Sequence, residues 1–177
     1  LEAAFNNESR QLTVNADIAE PPNGVIANAL SIEGRPSVDL RIAGDGPLSD
    51  FSADVRLSTN GEETPSGTVR IDDDQGALEV SGDLSGDFRP LVAQRFQPLV
   101  DGGSQLSFLG ARETDGSTSL SRFSLKSGAA DISLAGQLAP DFVPLNVSIN
   151  AVLARPDGAP TPLIGVDDGT VGRIAIT

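Results

Sequence analysis

The chain has 177 residues, enough for one domain or two small ones, and a net charge of −13. It contains no Cys, His, Trp, Tyr or Met, which removes the usual general base, the thiol nucleophile, the favoured transition-metal ligands and any disulfide framework. The negative charge argues against nucleic acid, whose phosphates require clustered Lys and Arg, and against an anionic membrane surface. We therefore expect a non-enzymatic protein with no cofactor and no metal site.

The chain reads as one segment of a larger protein. It begins at Leu1 rather than at Met, and residues 171–177 form a further predicted strand, so we expect residues 1–177 to be a single segment cut from a longer sequence. No run of 18 apolar residues occurs, so we expect no transmembrane span in this segment, and no signal peptide is recognisable.

Alternation of apolar and polar residues predicts β-strands along most of the chain. Val38, Leu40 and Ile42 alternate with polar neighbours, and residues 145–153 repeat the pattern. Side chains on a strand point to opposite faces in turn, so each stretch has one apolar and one polar face. The predicted strands cover residues 3–6, 12–19, 38–44, 51–59, 67–72, 77–84, 104–111, 119–127, 130–138 and 145–154, with another begun at 171–177.

Short links rich in turn formers, such as Asn60-Gly61, join the predicted strands. Such links connect antiparallel neighbours, so we expect an all-β fold: an elongated, curled antiparallel sheet in meander order, forming a groove. Two segments depart from this pattern. Residues 24–32 and 90–100 carry apolar residues near helical spacing and predict short helices, the second of which should end early at Pro98.

Clustered acidic residues occur where the pattern also requires turns. Residues 72–76 offer the carboxylates that calcium favours, but they lack the spaced ligands and terminal Glu of a calcium loop, so we interpret them as a hairpin turn. A degenerate motif of Gly, Leu and Asp-Phe occurs three times and contains Asp50, Asp87 and Asp141. We expect these carboxylates to organise turns by accepting hydrogen bonds from backbone amides.

The apolar positions together form a face too large to be left uncovered. Ten strands at about 4.8 Å spacing give a face on the order of 1,000 Å², whereas monomers rarely expose contiguous apolar patches above a few hundred Å². The predicted inner-face residues are Val38, Leu40, Ile42, Phe51, Val55, Leu57, Val69, Ile71, Leu78, Val80, Leu106, Phe108, Ile132, Leu134, Leu145, Val147, Ile149 and Leu153.

Three classes of protein could present such a face. An open sheet would form a groove for flexible apolar cargo, whereas two sheets packed face to face would form an extracellular adhesin-type β-sandwich. A carbohydrate-active enzyme with paired carboxylates has the weakest support, because no Trp or Tyr is present to stack on a sugar.

The segment from Asn23 to Phe51 carries a recognisable order of motifs. A Gly-led short helix begins at Gly24, followed by Gly-Arg-Pro at residues 34–36, an alternating strand, and Gly-x-Gly-Pro-Leu at residues 44–48. In this order the segment resembles the TamB family, named for the TamB subunit of the translocation and assembly module of Gram-negative bacteria. The later order of strands and helix also fits, so the resemblance covers most of the chain, although none of its motifs is catalytic.

The resemblance implies an AsmA-like protein with a long curled sheet, taco-shaped in section, around a hydrophobic interior. Such proteins are anchored in the inner membrane and cross the periplasm. Two roles are implied: phospholipid transport between the inner and outer membranes, and outer-membrane biogenesis or protein secretion with an outer-membrane barrel partner. The inner-face residues would then solvate phospholipid acyl chains while the headgroups stay in water.

Overall fold

The computed structural model describes residues 2–6, 8, 10–74, 76–141 and 143–154, together with the backbone of residues 161–162, 170–171 and 174–176. Its strands are β1 (Glu2–Asn6), β2 (Gln11–Glu20), β3 (Val38–Pro47), β4 (Phe51–Thr59), β5 (Glu62–Asp74), β6 (Ala77–Gly86), β7 (Ser104–Arg112), β8 (Thr118–Lys126), β9 (Ala130–Leu138), β10 (Pro144–Leu153), β11 (Thr161–Pro162), β12 (Thr170–Val171) and β13 (Ile174–Ile176).

The strands form one large antiparallel sheet. β1 to β10 pair in chain order and β13 adds to β10, which gives an 11-stranded meander, while β11 and β12 pair separately. The sheet is not closed and curls little. The prediction of an all-β, elongated antiparallel sheet is therefore confirmed, and the part of the chain that the structure describes contains no second sheet packed face to face on the large one.

The strand boundaries agree with the alternation except where a proline or a bulge intervenes. β4 and β9 have the predicted bounds, but β5 begins at Glu62, five residues earlier than predicted, and passes through Pro65. A register shift between Arg56 and Ser58 accommodates this stretch, because a bulge frees a proline from the ladder of hydrogen bonds. The predicted strand at 171–177 lies partly outside the described residues.

The predicted helices are shorter than expected, and the second is of a different kind. Helix α1 covers Val25–Ala29. In place of one helix over 90–100 the chain makes two 3₁₀ turns, Arg89–Leu91 and Gln94–Leu99, and Pro98 lies inside the second rather than after it. Because Pro98 has no amide hydrogen to donate, it disfavours a continuous α-helix, whereas a short 3₁₀ turn tolerates it.

The turns follow the predicted chemistry. Asn60 and Gly61 both adopt positive φ, +52° and +78°, as a tight hairpin requires. The β5–β6 hairpin is closed by a turn in which the Gly76 amide donates to Asp73 Oδ1 at 3.3 Å, so the turn interpretation of residues 72–76 is confirmed. Asp87 also accepts a bond from the amide two residues on, at 2.9 Å.

Non-strand segments gather over one end of the sheet. The β2–β3 link (residues 21–37) and the β6–β7 link (residues 87–103) leave the sheet at the same end, and we call the two links together the cap. The end of the sheet beneath them is the capped end. The opposite end, which carries the links β1–β2, β3–β4, β5–β6, β7–β8 and β9–β10, is the open end.

Candidate functional site

The strand register brings the predicted inner-face residues onto one face of the sheet. In an antiparallel ladder, directly paired residues project to the same side. Leu40 pairs with Leu57, and Phe108 pairs with Phe123. Continued across all strands, this pairing places every predicted inner-face residue on one side except Leu145, which lies within the register shift between Pro144 and Asn146. We call this side the apolar face and the other the polar face.

The register adds residues that sequence reasoning missed. The alternation in β2 was visible in the sequence, and it places Ile18 opposite Leu40 on the apolar face. In β8 a register shift separates Leu120 from Phe123 by three residues, which breaks the period of two and conceals that both lie on this face. The further members are Leu12, Val14, Ala16, Ala53, Leu84, Leu125, Ala130, Leu138 and Ala151.

The apolar face is buried beneath the cap and at three further positions on β2 and β4, Ala16, Phe51 and Ala53. Ala27, Ile32 and Val38 form one buried cluster, with Leu91 packed against it. A second cluster joins Leu99 to Ala130 and Leu153, with Phe96 and Ile132 against it. Burial of these aliphatic groups attaches both links of the cap to the sheet.

Away from the cap and from Ala16, Phe51 and Ala53, the rest of the face is partly open to water. Most of its side chains in the middle of the sheet are half-buried. On β10 the exposure is larger, with Val147 at 55% and Ile149 at 49%. This follows from the pairing, because β13 covers β10 only along Ala151–Leu153. An exposed aliphatic row of this kind is uncommon on a monomer and marks a surface that meets something apolar.

Glycines bring neighbouring strands close together on the apolar side. A Cβ atom on Gly44 would collide with the carbonyl oxygen of Ser52, and one on Gly67 would collide with that of Asp83. The partner backbone therefore approaches on the side to which a side chain at these positions would point. Since only glycine leaves that space, the two residues permit the sheet to bend locally toward its apolar face.

Hydrogen bonds hold the cap together and attach it to the sheet. The Gln94 amide donates to Glu33 Oε2 at 2.6 Å, which joins the two links of the cap across 61 residues of sequence. The Ser127 hydroxyl donates to the Leu99 carbonyl, which ties the cap to the β8–β9 turn. The Ile26 amide of the first link donates to Glu20 Oε2, at the end of β2, at 2.8 Å.

The charged groups with shifted pKa values serve turns rather than chemistry. The Arg89 guanidinium donates to Asp87 and, with a separation of 2.6 Å between Arg89 Nη2 and Asp87 Oδ2, lowers the pKa of that carboxyl against the opposing effect of partial burial. The Ser117 hydroxyl and amide lower the pKa of Asp115 in the β7–β8 turn. Both carboxylates stabilise the local backbone, as the sequence predicted for Asp87.

Several shallow depressions lie on the polar face. One of about 490 Å³ is lined by Asp83, Arg122 and several serines of β6–β8. Another of about 570 Å³ lies between Arg41, Arg56 and the β4–β5 hairpin. They are formed by long charged side chains beside short ones and they mix both signs of charge. Neither contains the predicted site residues as a group, so the continuous feature of the molecule is the apolar face.

The described residues contain neither a cluster of metal-ligating side chains nor a membrane-spanning helix. No group of three acidic side chains converges on a point where a metal ion could be held in that part of the chain. None of the helices found there is both long and apolar enough to cross a bilayer.

The fold and the face together define a single-layer antiparallel sheet with one apolar side, capped at one end. Comparison with known proteins adds no relative: no protein-family model matches the chain, no curated protein matches its sequence, and no solved structure matches its fold. The function must therefore be argued from the face itself.

Proposed function

We propose that this chain is a non-enzymatic segment of a lipid conduit, in which the apolar face solvates phospholipid acyl chains. The observation that carries the proposal is the open apolar face, half-buried in its middle and exposed along β10. The cap covers only one end of it. The whole face is on the order of 1,000 Å², and an apolar occupant would stabilise the part that the cap leaves uncovered by removing it from water.

The composition of the face favours flexible hydrocarbon over other apolar ligands. Its side chains are mainly Val, Leu, Ile and Ala, and the chain has seven Phe but no Trp or Tyr. Aliphatic contacts are non-directional and depend on buried area, so they suit a disordered acyl chain. They give little basis for recognising a sugar or a planar ring, which require stacking surfaces and directed hydrogen bonds.

The open sheet also bears on the rival class. An adhesin-type β-sandwich would need a second sheet about 10 Å away across this face. The described strands β1 to β10 and β13 form one sheet that is not closed, which favours an open apolar face over a closed sandwich for this segment.

The resemblance to the TamB family supports the cellular location and the roles that we propose. The Gly-led helix α1, the Gly-Arg-Pro at residues 34–36, the alternating strand β3 and the Gly-x-Gly-Pro-Leu at residues 44–48 occur in the order that the family shows. On this basis we place the segment in the periplasm of a Gram-negative bacterium, within a protein anchored in the inner membrane. Its roles would be phospholipid transport to the outer membrane and assembly of outer-membrane proteins with a barrel partner.

Photo-crosslinking with matched positions tests the groove. A photo-reactive residue at Leu40, Val55 or Ile149 lies on the apolar face and should capture phospholipid. The same residue one position away, at Asp39, Asp54 or Ser148, lies on the polar face and should capture little. Equal labelling of the two sets would overturn the proposal, because it would show contact without any preference for the apolar face.

A further inference from the structure

Two Asn-Gly pairs occur in the chain, Asn23-Gly24 and Asn60-Gly61. Such a pair can close on itself, because glycine lacks a Cβ atom and its amide nitrogen can approach the side-chain carbonyl carbon of the asparagine. The closure forms a cyclic imide, a succinimide, with loss of ammonia. Since both pairs consist of the same two residues, a difference in their reactivity in the folded chain must come from the fold.

Hydrogen bonds hold the first pair in place. The Gly24 amide, which is the nucleophile of such a closure, donates to the Pro21 carbonyl at 3.1 Å. The Asn23 amide donates to the Arg35 carbonyl at 3.0 Å, and the Asn28 side-chain amide donates to the Asn23 carbonyl at 3.0 Å. Attack by the Gly24 nitrogen would first require the bond to Pro21 to break, so we expect the fold to protect Asn23.

The second pair forms the tip of the β4–β5 hairpin, where Asn60 and Gly61 are both exposed. In the described part of the chain the Gly61 amide has no hydrogen-bond acceptor. The space beside its α-carbon is open, since a Cβ atom there would meet nothing within 4 Å. Water therefore reaches the nitrogen that would attack, and no hydrogen bond of that nitrogen has to break first.

Ser37 adds a group that favours reaction at Asn60. Its hydroxyl donates to Asn60 Oδ1 at 3.4 Å, and this oxygen takes up negative charge when a nucleophile adds to the side-chain carbonyl. A donor already placed at such an oxygen stabilises the charge as it develops. No hydroxyl donates to the Asn23 side chain in the part of the chain that the structure describes.

We infer that Asn60 is a site of spontaneous covalent modification and that Ser37 promotes it. The Gly61 nitrogen gives its proton to solvent and bonds to Asn60 Cγ, and the bond from Cγ to the side-chain nitrogen breaks, so that ammonia leaves with a proton from solvent. Water then opens the succinimide. Cleavage between the ring nitrogen and Cγ gives aspartate, and cleavage between that nitrogen and the main-chain carbonyl carbon gives isoaspartate. The modification needs no lipid and is independent of the proposed function.

Isoaspartate at position 60 would detach the hairpin from the cap. The Asn60 amide donates to the Ser37 carbonyl at 3.0 Å, which joins the hairpin tip to the last residue of the β2–β3 link. Thr59 and Glu62 form the last pair of the hairpin, around two residues with positive φ. Because isoaspartate inserts a further carbon into the main chain at this tip, the tight turn no longer fits between the paired strands.

Peptide mapping by mass spectrometry tests the site on the 177-residue chain. The protein is incubated in neutral buffer, either folded or in urea, and the gain of mass at each asparagine gives its rate of conversion. In the folded chain Asn60 should react about tenfold or more faster than Asn23, because only the second must first lose a hydrogen bond of its attacking amide. In urea the two rates should converge. A folded chain in which Asn23 reacts as fast as Asn60, or in which neither reacts while both react in urea, would overturn the inference.

A second comparison tests the role of Ser37. Ser37→Ala removes the donor and should slow the reaction at Asn60 by about two- to tenfold, the effect of one hydrogen bond, with the rate at Asn23 unchanged. Ser52→Ala removes a hydroxyl from the other end of β4 and should change neither rate. Circular dichroism confirms that both variants fold. An unchanged or faster reaction at Asn60 in the Ser37 variant would contradict the proposed role of its hydroxyl.

Discussion

At Gly67 the backbone of β5 lies so close to that of β6 that a Cβ atom would collide with the carbonyl oxygen of Asp83. The obstacle is backbone, which cannot rotate away as a long side chain could. At Gly110, on the same face, a Cβ atom would lie 3.2 Å from the Ser119 carbonyl oxygen, a contact that a small shift relieves. The two glycines therefore differ in how closely the neighbouring strand approaches them. The sequence alone does not reveal this difference.

Substitution of these glycines should separate the two cases. Gly67→Ala should destabilise the fold by about 1 to 3 kcal/mol, because the ladder must open to admit the methyl group. Gly110→Ala should change stability by less, since alanine also reduces the entropy of the unfolded chain. Denaturant unfolding measures both. A Gly67 variant as stable as the wild type would show that the close approach at β5–β6 is not needed.

Among the elements, the cap shows how local segments bury part of a face that the strands leave open. Ile32 follows α1 and is 2% exposed against Val38, whereas Leu30 of the same link is 54% exposed. The two side chains have equal size and nearly equal position in sequence. Their difference in burial makes them a matched pair for testing the attachment of the cap.

Ile32→Ala should cost about 2 to 5 kcal/mol, the range for removing a large aliphatic side chain from a core. Leu30→Ala, at an exposed position, should change the free energy of unfolding by no more than about 0.5 kcal/mol. Thermal or denaturant melts of the two variants give the comparison. Similar losses for both would mean that the cap does not pack on the sheet as the structure has it.

The elements also show which features the sequence could and could not predict. Strict alternation predicted β4 and β9 to the residue, because a strand with one buried face has a period of two in its side chains. Pro65 concealed the first part of β5, and the shift near Leu120 concealed which residues of β8 share the apolar face, since a bulge changes the period without leaving a local signal.

For the site, alternation was sufficient to place most residues of the apolar face, because register and burial follow from the same pattern. Alternation could not predict the contacts between the cap and the sheet. The bond from the Gln94 amide to Glu33 joins segments 61 residues apart, and Leu91 packs on the cluster that contains Ala27. Nothing in the local sequence of either segment specifies such a contact. The position of the cap on the apolar face could therefore be found only from the structure.

For the whole molecule, the decisive quantity is the contrast between the covered and the open parts of the apolar face. A carboxylate beneath the cap at Val38, which is fully buried, would lose its hydration at a cost of several kcal/mol. A domain stabilised by about 5 to 15 kcal/mol in total would not be expected to withstand that cost. A carboxylate at Ile149 would stay in contact with water and leave the fold intact, yet it would stand where hydrocarbon is proposed to lie.

Three single substitutions on the 177-residue chain test this contrast. Val38→Asp should unfold the chain. Ile149→Asp should fold, as judged by circular dichroism, but should bind phospholipid about tenfold or more weakly, because it loses an apolar contact worth roughly 1.5 to 3 kcal/mol and wets the adjacent surface. Asn150→Asp places the same charge one residue away on the polar face and should leave both folding and lipid binding unchanged. Native mass spectrometry with added phospholipid measures the bound fraction for each variant. If Ile149→Asp folds and binds lipid as well as Asn150→Asp does, the exposed row of β10 is not a lipid contact. If Ile149→Asp unfolds, the side chain at 149 is buried in solution, which would contradict the open apolar face.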